Sequence, residues 1–460
     1  MTSNSDLAPQ IRGEVIRPGD GKYDQARRVW NGMIDRRPAL IARCVGVADV
    51  IAALEYARAS GLPTTARGGG HGVSGKSVTD GGVVIDLANM DDVHVDHRSR
   101  TARVGAGATW GQVDEETQAF GLAVTGGVDS RTGVAGLTLG GGVGHLARAI
   151  GLTVDNLISA EVVLADGQVV VASADNHADL YWALRGGGGN FGIVTSFEFR
   201  LQQIGPQVMT AQAFYPMDQA GAVLSSYRDF MLAAPDEVSC YALFINVPPV
   251  EPFPENDHGK TTLALVGMFA GDVDDGERAL APLTEIGPSM LSVLAPMSYA
   301  ALQSSFDAGA PDGGRYYWKA TYLDGLPDEL ISLLADRVSP LPGAYSNVFV
   351  EPMGGAISRV ETSATAFAHR DAVFGLGISS GWAEADQDEA AVEWTRDLYH
   401  LVARHSPGGV YPNYVDRDEG DRLDEAWGEN RSRLQEIKQR YDPEDVFHGN
   451  VELARSYPQV

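Results

Sequence analysis

LRGGGGNFGIVTSFEF (184–199) is the stretch on which the fold turns. A helical segment, HADLYWALRG, leads into its glycines, and an alternating strand, FGIVTSFEFRL (191–201), leaves them. Gly187, Gly189 and Gly192 satisfy the spacing G-x-G-x-x-G, and so do Gly70, Gly72 and Gly75 in ARGGGHGVSG (66–75). That spacing grips a dinucleotide when a strand enters the glycines and a helix leaves them, because the helix N-terminus then faces the diphosphate. Here one loop follows a helix and enters a strand, and the other runs on into KSVTDGGVVIDL. The order excludes a Rossmann fold. It does not exclude the chemistry, since consecutive N–H groups in glycine turns form anion-binding concavities without any helix. A third run, LTLGGGVGHLARAIGLTVDNL (137–157), brings the set to three. Together they can wrap a diphosphate, whereas any one alone reads equally well as a tight turn.

Around these loops the pattern is α+β. Helices are expected over 23–35, 48–61 and 109–121, strands over 39–45 and 101–109 and in GGVVIDLANM, and a hairpin over 157–173 turning on Asp166-Gly167. These strands do not form repeated βαβ units. Beyond Pro206 the runs VMTAQAFY, SCYALFINV and TLALVGMF alternate with helical AGAVLSSYRDFML and DELISLLADRV. This suits one antiparallel sheet covered by helices. At 460 residues the chain suggests more than one domain. The texture divides it at 206 and at 415, and the last part, 416–460, begins as acidic helical sequence.

The net charge of −26 argues against nucleic acid and anionic membranes as partners, since both call for a cationic face. Cys44 and Cys240 match no metal or redox spacing, and no metal site is expected. The start MTSNSDLAPQ has no basic n-region, and no run approaches the roughly 18 apolar residues of a membrane helix. A cytoplasmic location is the resulting expectation; oligomeric state is not legible.

RGGGHGVSG, GVAGLTLGGGVGHLARAIGLTVDNL, DLYWALRGGGGNFGIVTSFEF and KQRYDPEDVF, in that order, resemble the FAD-linked oxidases of the vanillyl-alcohol oxidase superfamily, in its berberine-bridge-enzyme-like branch. The resemblance covers nearly the whole chain and is loosest over 207–400; it implies a two-part FAD-binding domain over 1–206, a substrate domain over 207–415 and a C-terminal segment, 416–460, that returns to the FAD-binding domain. It implies that His71 carries FAD through a ring nitrogen to the flavin 8α-methyl. Some members add a thioether from a cysteine whose slot here is Asp129, so a single covalent link is expected. Thr132 falls where the family governs oxygen access to the flavin. The resemblance further implies that Arg67, Gly68, Gly69, Gly70, Gly72 and Ser74 serve the diphosphate. Gly136, Gly140, Gly141, Gly142, Asp155, Asn156, Gly192, Ile193, Val194 and Asn450 are implied to lie along the cofactor.

On the substrate side, YPNYVD (411–416) is similar to the family's Tyr-x-Asn-aromatic element, making Tyr411 and Tyr414 candidates for positioning and deprotonating a substrate. Glu351, three residues before a Gly-Gly pair, stands where several members place an acidic residue. A phenol near pKa 10 needs a neighbour that depresses it before it can act as a base. The function implied is hydride transfer from a small organic substrate (alcohol, sugar, amine or phenolic) to flavin N5, with dioxygen as acceptor and hydrogen peroxide as product. A dehydrogenase using another acceptor, and a flavin-binding protein without turnover, are the alternatives.

Overall fold

The computed structural model describes residues 10–419, 422–447 and 453. Its N-terminal part holds two main sheets. In the first, Leu40–Arg43 and Thr64–Arg67 both run parallel to Val83–Asp86, which lies between them, and Glu14–Ile16 adds an antiparallel edge. Helix Val47–Ser60 makes the helical crossover of this sheet, ended by Gly61 in the left-handed conformation. Strand Thr64–Arg67 then delivers the chain directly into the loop 68–75, with no helix after it.

The second sheet is wholly antiparallel, in the order Val93–Asp96, Thr101–Gly105, Ile193–Arg200, Leu157–Val163, Val169–Ser173. Its central strand is the one that leaves the 186–192 glycines. Buried residues of both sheets merge into one core, which also takes in Trp427, Leu434, Ile437 and Phe447 from the end of the chain. Helix Arg431–Tyr441 is pinned there by Lys438, whose Nζ donates to Asn190 O at 2.9 Å and to Asp442 Oδ2 at 2.6 Å.

Residues 207–382 supply a seven-stranded antiparallel sheet, ordered Leu291–Ser298, Gln207–Pro216, Thr261–Phe269, Val238–Asn246, Asn347–Pro352, Phe374–Trp382, Arg315–Leu323. Alternation along each strand sorts its side chains between two faces. Cys240, Ala242, Phe244, Val348, Val350, Leu376 and Ile378 pack with residues of helices Ala220–Ala233, Val273–Thr284, Asp328–Arg337 and Asp388–Val402. Tyr241, Trp318 and Tyr322 sit at the alternate positions: Trp318 and Tyr322 join clusters that contain no residue of those helices, and the Tyr241 ring packs edge-on to His145.

The helix expected over 23–35 is reduced to Tyr23–Ala26. Tertiary bonds claim the remaining backbone. Trp30 N donates to Gly70 O, Gly32 N donates to Gly314 O, and the Asn31 amide donates to Val73 O and Tyr316 O while accepting from Met33 N and Tyr316 N. Asn31 is fully buried and ties the first glycine loop to the edge strand of the large sheet. A buried amide with all these bonds satisfied outweighs a local helical preference of a few tenths of a kcal/mol per residue.

Candidate active site

The glycine loops and the large sheet enclose a cavity between them. Gly68, Gly69, Gly70, His71 and Gly72 form part of one wall, joined by Gly136, Gly140, Gly192, Ile193 and Val194. Asp129 and Thr132 lie on the same wall, and Tyr241, Trp318, Tyr411 and Tyr414 stand on the opposite one.

The flavin-side wall is made of backbone. Among the described residues, the N–H groups of residues 68–72 donate no hydrogen bond within the protein. Backbone donors left in this way are a site waiting for an acceptor. A side chain at Gly136 would meet nothing within 4 Å, so the bare glycine keeps open a space that a ligand can enter. His71 Nε2 and Ser77 Oγ, on the same lining, are buried without partners, and Lys76 contributes a cation. This combination fits a flavin dinucleotide: donors and a cation for the diphosphate, and close backbone approach for a flat ring.

His71 is held in a stack, 4.5 Å from the Trp30 ring at 15°, with Tyr316 on the other side of Trp30 at 3.9 Å and 8°. His71 Nε2 lies 3.6 Å from Asp129 Oδ2. Burial opposes ionisation of Asp129, but the facing His71 imidazole and the Arg131 guanidinium outweigh it and hold the carboxyl below the usual range. Neither Cys44 nor Cys240 joins the lining; both are buried thiols raised by desolvation.

Several residues expected along the cofactor are placed elsewhere. Arg67 is turned away into an ion pair with Asp86 at 2.8 Å, and Ser74 is buried off the lining. Asp155 pairs with buried Arg370 at 2.7 Å and caps Leu152 N, while the Asn156 amide donates to Ile150 O and Leu152 O. These polar groups hold the loop's shape, because a buried turn must satisfy its own carbonyls. Gly141 and Gly142 also leave the lining. Both have positive φ, +127° and +83°, and a side chain at Gly142 would clash with Thr153 Oγ1. Gly142 N instead donates to Tyr411 Oη at 2.9 Å, so the third glycine run serves to set a substrate-side tyrosine. Asn450 lies outside the described residues.

The substrate-side wall is made of side chains. Tyr411 Oη accepts from Gly142 N and from Asn413 Nδ2, each at 2.9 Å, leaving its own proton free to donate. Asn413 is held in turn by Leu137 O at 3.0 Å. Burial pushes the Tyr411 phenol up to about 12, although the donors from Gly142 and Asn413 oppose the rise. Tyr414 packs edge-on to Tyr411, Trp318 and Phe349.

Glu351 is not on the lining. It sits 3% exposed behind Tyr414, whose Oη is 3.4 Å from its Oε2. Burial pushes this carboxyl up to about 7, while the Tyr414 hydroxyl partly opposes the rise. Tyr414 itself is raised well above an ordinary phenol, by burial and then by the Glu351 charge.

Tyr241, Trp318 and the Trp30 stack are site residues that the motifs do not single out, whereas Asn413 is the asparagine of the Tyr-x-Asn-aromatic element. For the strand residues the available signal is alternation, since Tyr241 and Trp318 occupy positions opposite in phase to the helix-facing residues. Among the described residues, no acidic, histidine or cysteine cluster could hold a metal ion, and no helix is long and apolar enough to cross a membrane.

Comparison with known proteins agrees with this geometry. Residues 38–173 match the FAD binding domain family model and residues 410–451 the model described as berberine and berberine like. The chain is 30% identical to (R)-6-hydroxynicotine oxidase of Paenarthrobacter nicotinovorans, over 98% of this chain and 99% of the relative. It is similar to the crystal structure of 6-hydroxy-D-nicotine oxidase from Arthrobacter nicotinovorans, with a TM-score of 0.87 and 29% identity over 98% and 99% of the two chains. It is likewise similar to a structure of glucooligosaccharide oxidase from Acremonium strictum, described with 6-S-cysteinyl, 8α-N1-histidyl FAD, at a TM-score of 0.86 and 28% identity over 98% of each chain. With the glycine wall, the histidine and the paired tyrosines in place, the chain belongs to the FAD-linked oxidoreductases of the berberine-bridge-enzyme-like family.

Proposed function

We propose that the chain is an oxidase of a small organic substrate, carrying FAD on a single covalent bond from His71. The observation that carries this reading is the meeting, over one cavity, of an unbonded backbone wall bearing His71 and an aromatic wall backed by Glu351. FAD, when bound, supplies a two-electron acceptor that takes a hydride at N5 and passes the pair to dioxygen, giving hydrogen peroxide. Gly68–Gly72 with Lys76 hold the diphosphate, and Gly136 with Gly192, Ile193 and Val194 lie against the ring system. Thr132, smaller than leucine, leaves room for oxygen on this wall.

On the facing wall, Tyr411 donates a hydrogen bond from its free proton and orients the substrate's reacting group. Tyr414 takes the substrate proton and passes its own to Glu351, since the carboxylate reaches the cavity only through that hydroxyl. A base titrating near 7 suits this task at neutral pH. The reading of a small polar organic substrate is supported by the names of two relatives, (R)-6-hydroxynicotine oxidase and glucooligosaccharide oxidase.

The test is anaerobic reduction by a panel of alcohols, sugars, amines and phenolics, followed by mixing with oxygenated buffer. Rapid return of the oxidised flavin spectrum with stoichiometric peroxide is expected; reoxidation slower than turnover with an artificial acceptor would make the enzyme a dehydrogenase. Acid-precipitated native protein should stay yellow, and His71→Ala should release its FAD on denaturation.

A further inference from the structure

Asp129 occupies the slot from which a second covalent bond could have come, and its carboxylate is directed at the histidine proposed to make the first. Its two oxygens are fixed. Arg131 donates from Nε to Oδ1 at 3.0 Å and from Nη2 to Oδ2 at 2.6 Å, and the Arg131 backbone N adds a bond to Oδ1 at 2.9 Å. The guanidinium is itself anchored by Asp307 O and Ala310 O, at 2.7 and 2.9 Å. The imidazole plane is set independently by the Trp30–Tyr316 stack. Of the two ring nitrogens, Nε2 is buried and has no hydrogen-bond partner at its 3.6 Å separation from Asp129, whereas Nδ1 has neither a partner nor that burial.

We propose that Asp129 is the positioning residue for covalent attachment: it holds the proton of His71 on Nε2, so that Nδ1 faces the flavin 8α-carbon with a free lone pair. This rests on the reading of His71 as the attachment site. In the step, the Nδ1–C8α bond forms while one C8α–H bond and the Nε2–H bond are given up. Both protons and one electron pair leave the protein–cofactor pair, and dioxygen takes them to become hydrogen peroxide. Positive charge develops on the ring as the new bond forms, and an adjacent fixed carboxylate stabilises it without becoming protonated, as a buried aspartate does for a catalytic histidine. An amide in its place would offer N–H to Nε2, driving the ring proton to Nδ1 and removing the nucleophile.

The experiment uses full-length Asp129→Asn and Asp129→Ala beside the native protein, each incubated with excess FAD. Acid-precipitated flavin is counted as covalent and acid-released flavin as non-covalent. We expect Asp129→Asn to bind FAD and melt normally but attach it at least tenfold more slowly. Added formate should speed attachment in Asp129→Ala, which a merely structural role would not produce. The isolated flavin peptide of the native protein should carry the bond at Nδ1. Attachment in Asp129→Asn as fast as in the native protein, or a bond at Nε2, would overturn the proposal while leaving His71 attachment standing. Native protein that releases all its flavin in acid would overturn both.

Discussion

The two walls of the cavity are built from different parts of the peptide. On the flavin side the working groups are backbone N–H donors, exposed because glycine leaves nothing in front of them. On the substrate side they are aromatic side chains on strands Val238–Asn246 and Arg315–Leu323 and on the turn at 411–414, aimed by packing across the sheet. A backbone wall tolerates almost no substitution at its glycines, because their missing side chains are what opens it. A side-chain wall depends on every layer behind it, down to Glu351, which never reaches the cavity itself.

The largest effect should come from filling the backbone wall. Gly136→Leu places a side chain where none now meets a neighbour, so the protein should fold with an unchanged far-ultraviolet spectrum but purify colourless. Retention of flavin would show that this glycine does not face the ring. Next comes the layer behind the other wall. Glu351→Gln should keep full flavin absorbance and lose about 10²–10⁴-fold in kcat. The native kcat should rise with pH through about 7 as the carboxylate forms, and the variant should lose that limb. Tyr411→Phe removes a donor to the substrate and the acceptor for Gly142 N, and should cost about 1–3 kcal/mol in kcat/KM.

The smallest effect is on stability. Burial lifts Asp114 as well as Glu351 to about 7, with Gln303 opposing the rise at Asp114. A carboxyl whose pKa is higher folded than unfolded binds its proton more tightly in the native state. Its contribution is complete at low pH and is lost as pH climbs from the usual carboxylate range through about 7. Asp129 and Asp418 are shifted the other way, so their contribution is lost as pH falls below about 4. Thermal melts should therefore peak at mildly acidic pH. Asp114→Asn should raise the melting temperature at pH 8 by removing a cost on the order of 4 kcal/mol, and should set an amide donor beside Gln303 Oε1, which is buried without a partner. An unchanged melt at pH 8 would mean that water reaches Asp114.

The legibility of each wall follows its construction. LRGGGGNFGIVTSFEF announces itself because glycines and an alternating strand are local properties, and the wrong order of elements for a Rossmann turn can be read from neighbours alone. The strands at 39–45, 101–109 and 157–173 are equally local, and they form close to where alternation puts them. The helix over 23–35 is not local: Asn31 meets Val73 and Tyr316 only after two sheets have come together. Nor could spacing alone tell that Arg67 turns to Asp86, that Asp155 turns to Arg370, or that Gly142 sets Tyr411 instead of lining the cavity.

The sequence by itself determined that the chain builds three glycine turns around an antiparallel strand, with one histidine inside the first turn and no cysteine at the second slot. Backbone freedom and the absence of a side chain are written in the residue type, so they need no partner to be read. Only the tertiary structure decided that Asp129 faces His71, that Glu351 sits behind Tyr414, and that Tyr241 and Trp318 line the cavity. A side chain's target is fixed by which distant surface the folded sheets bring against it, and by whether burial leaves its charge a partner.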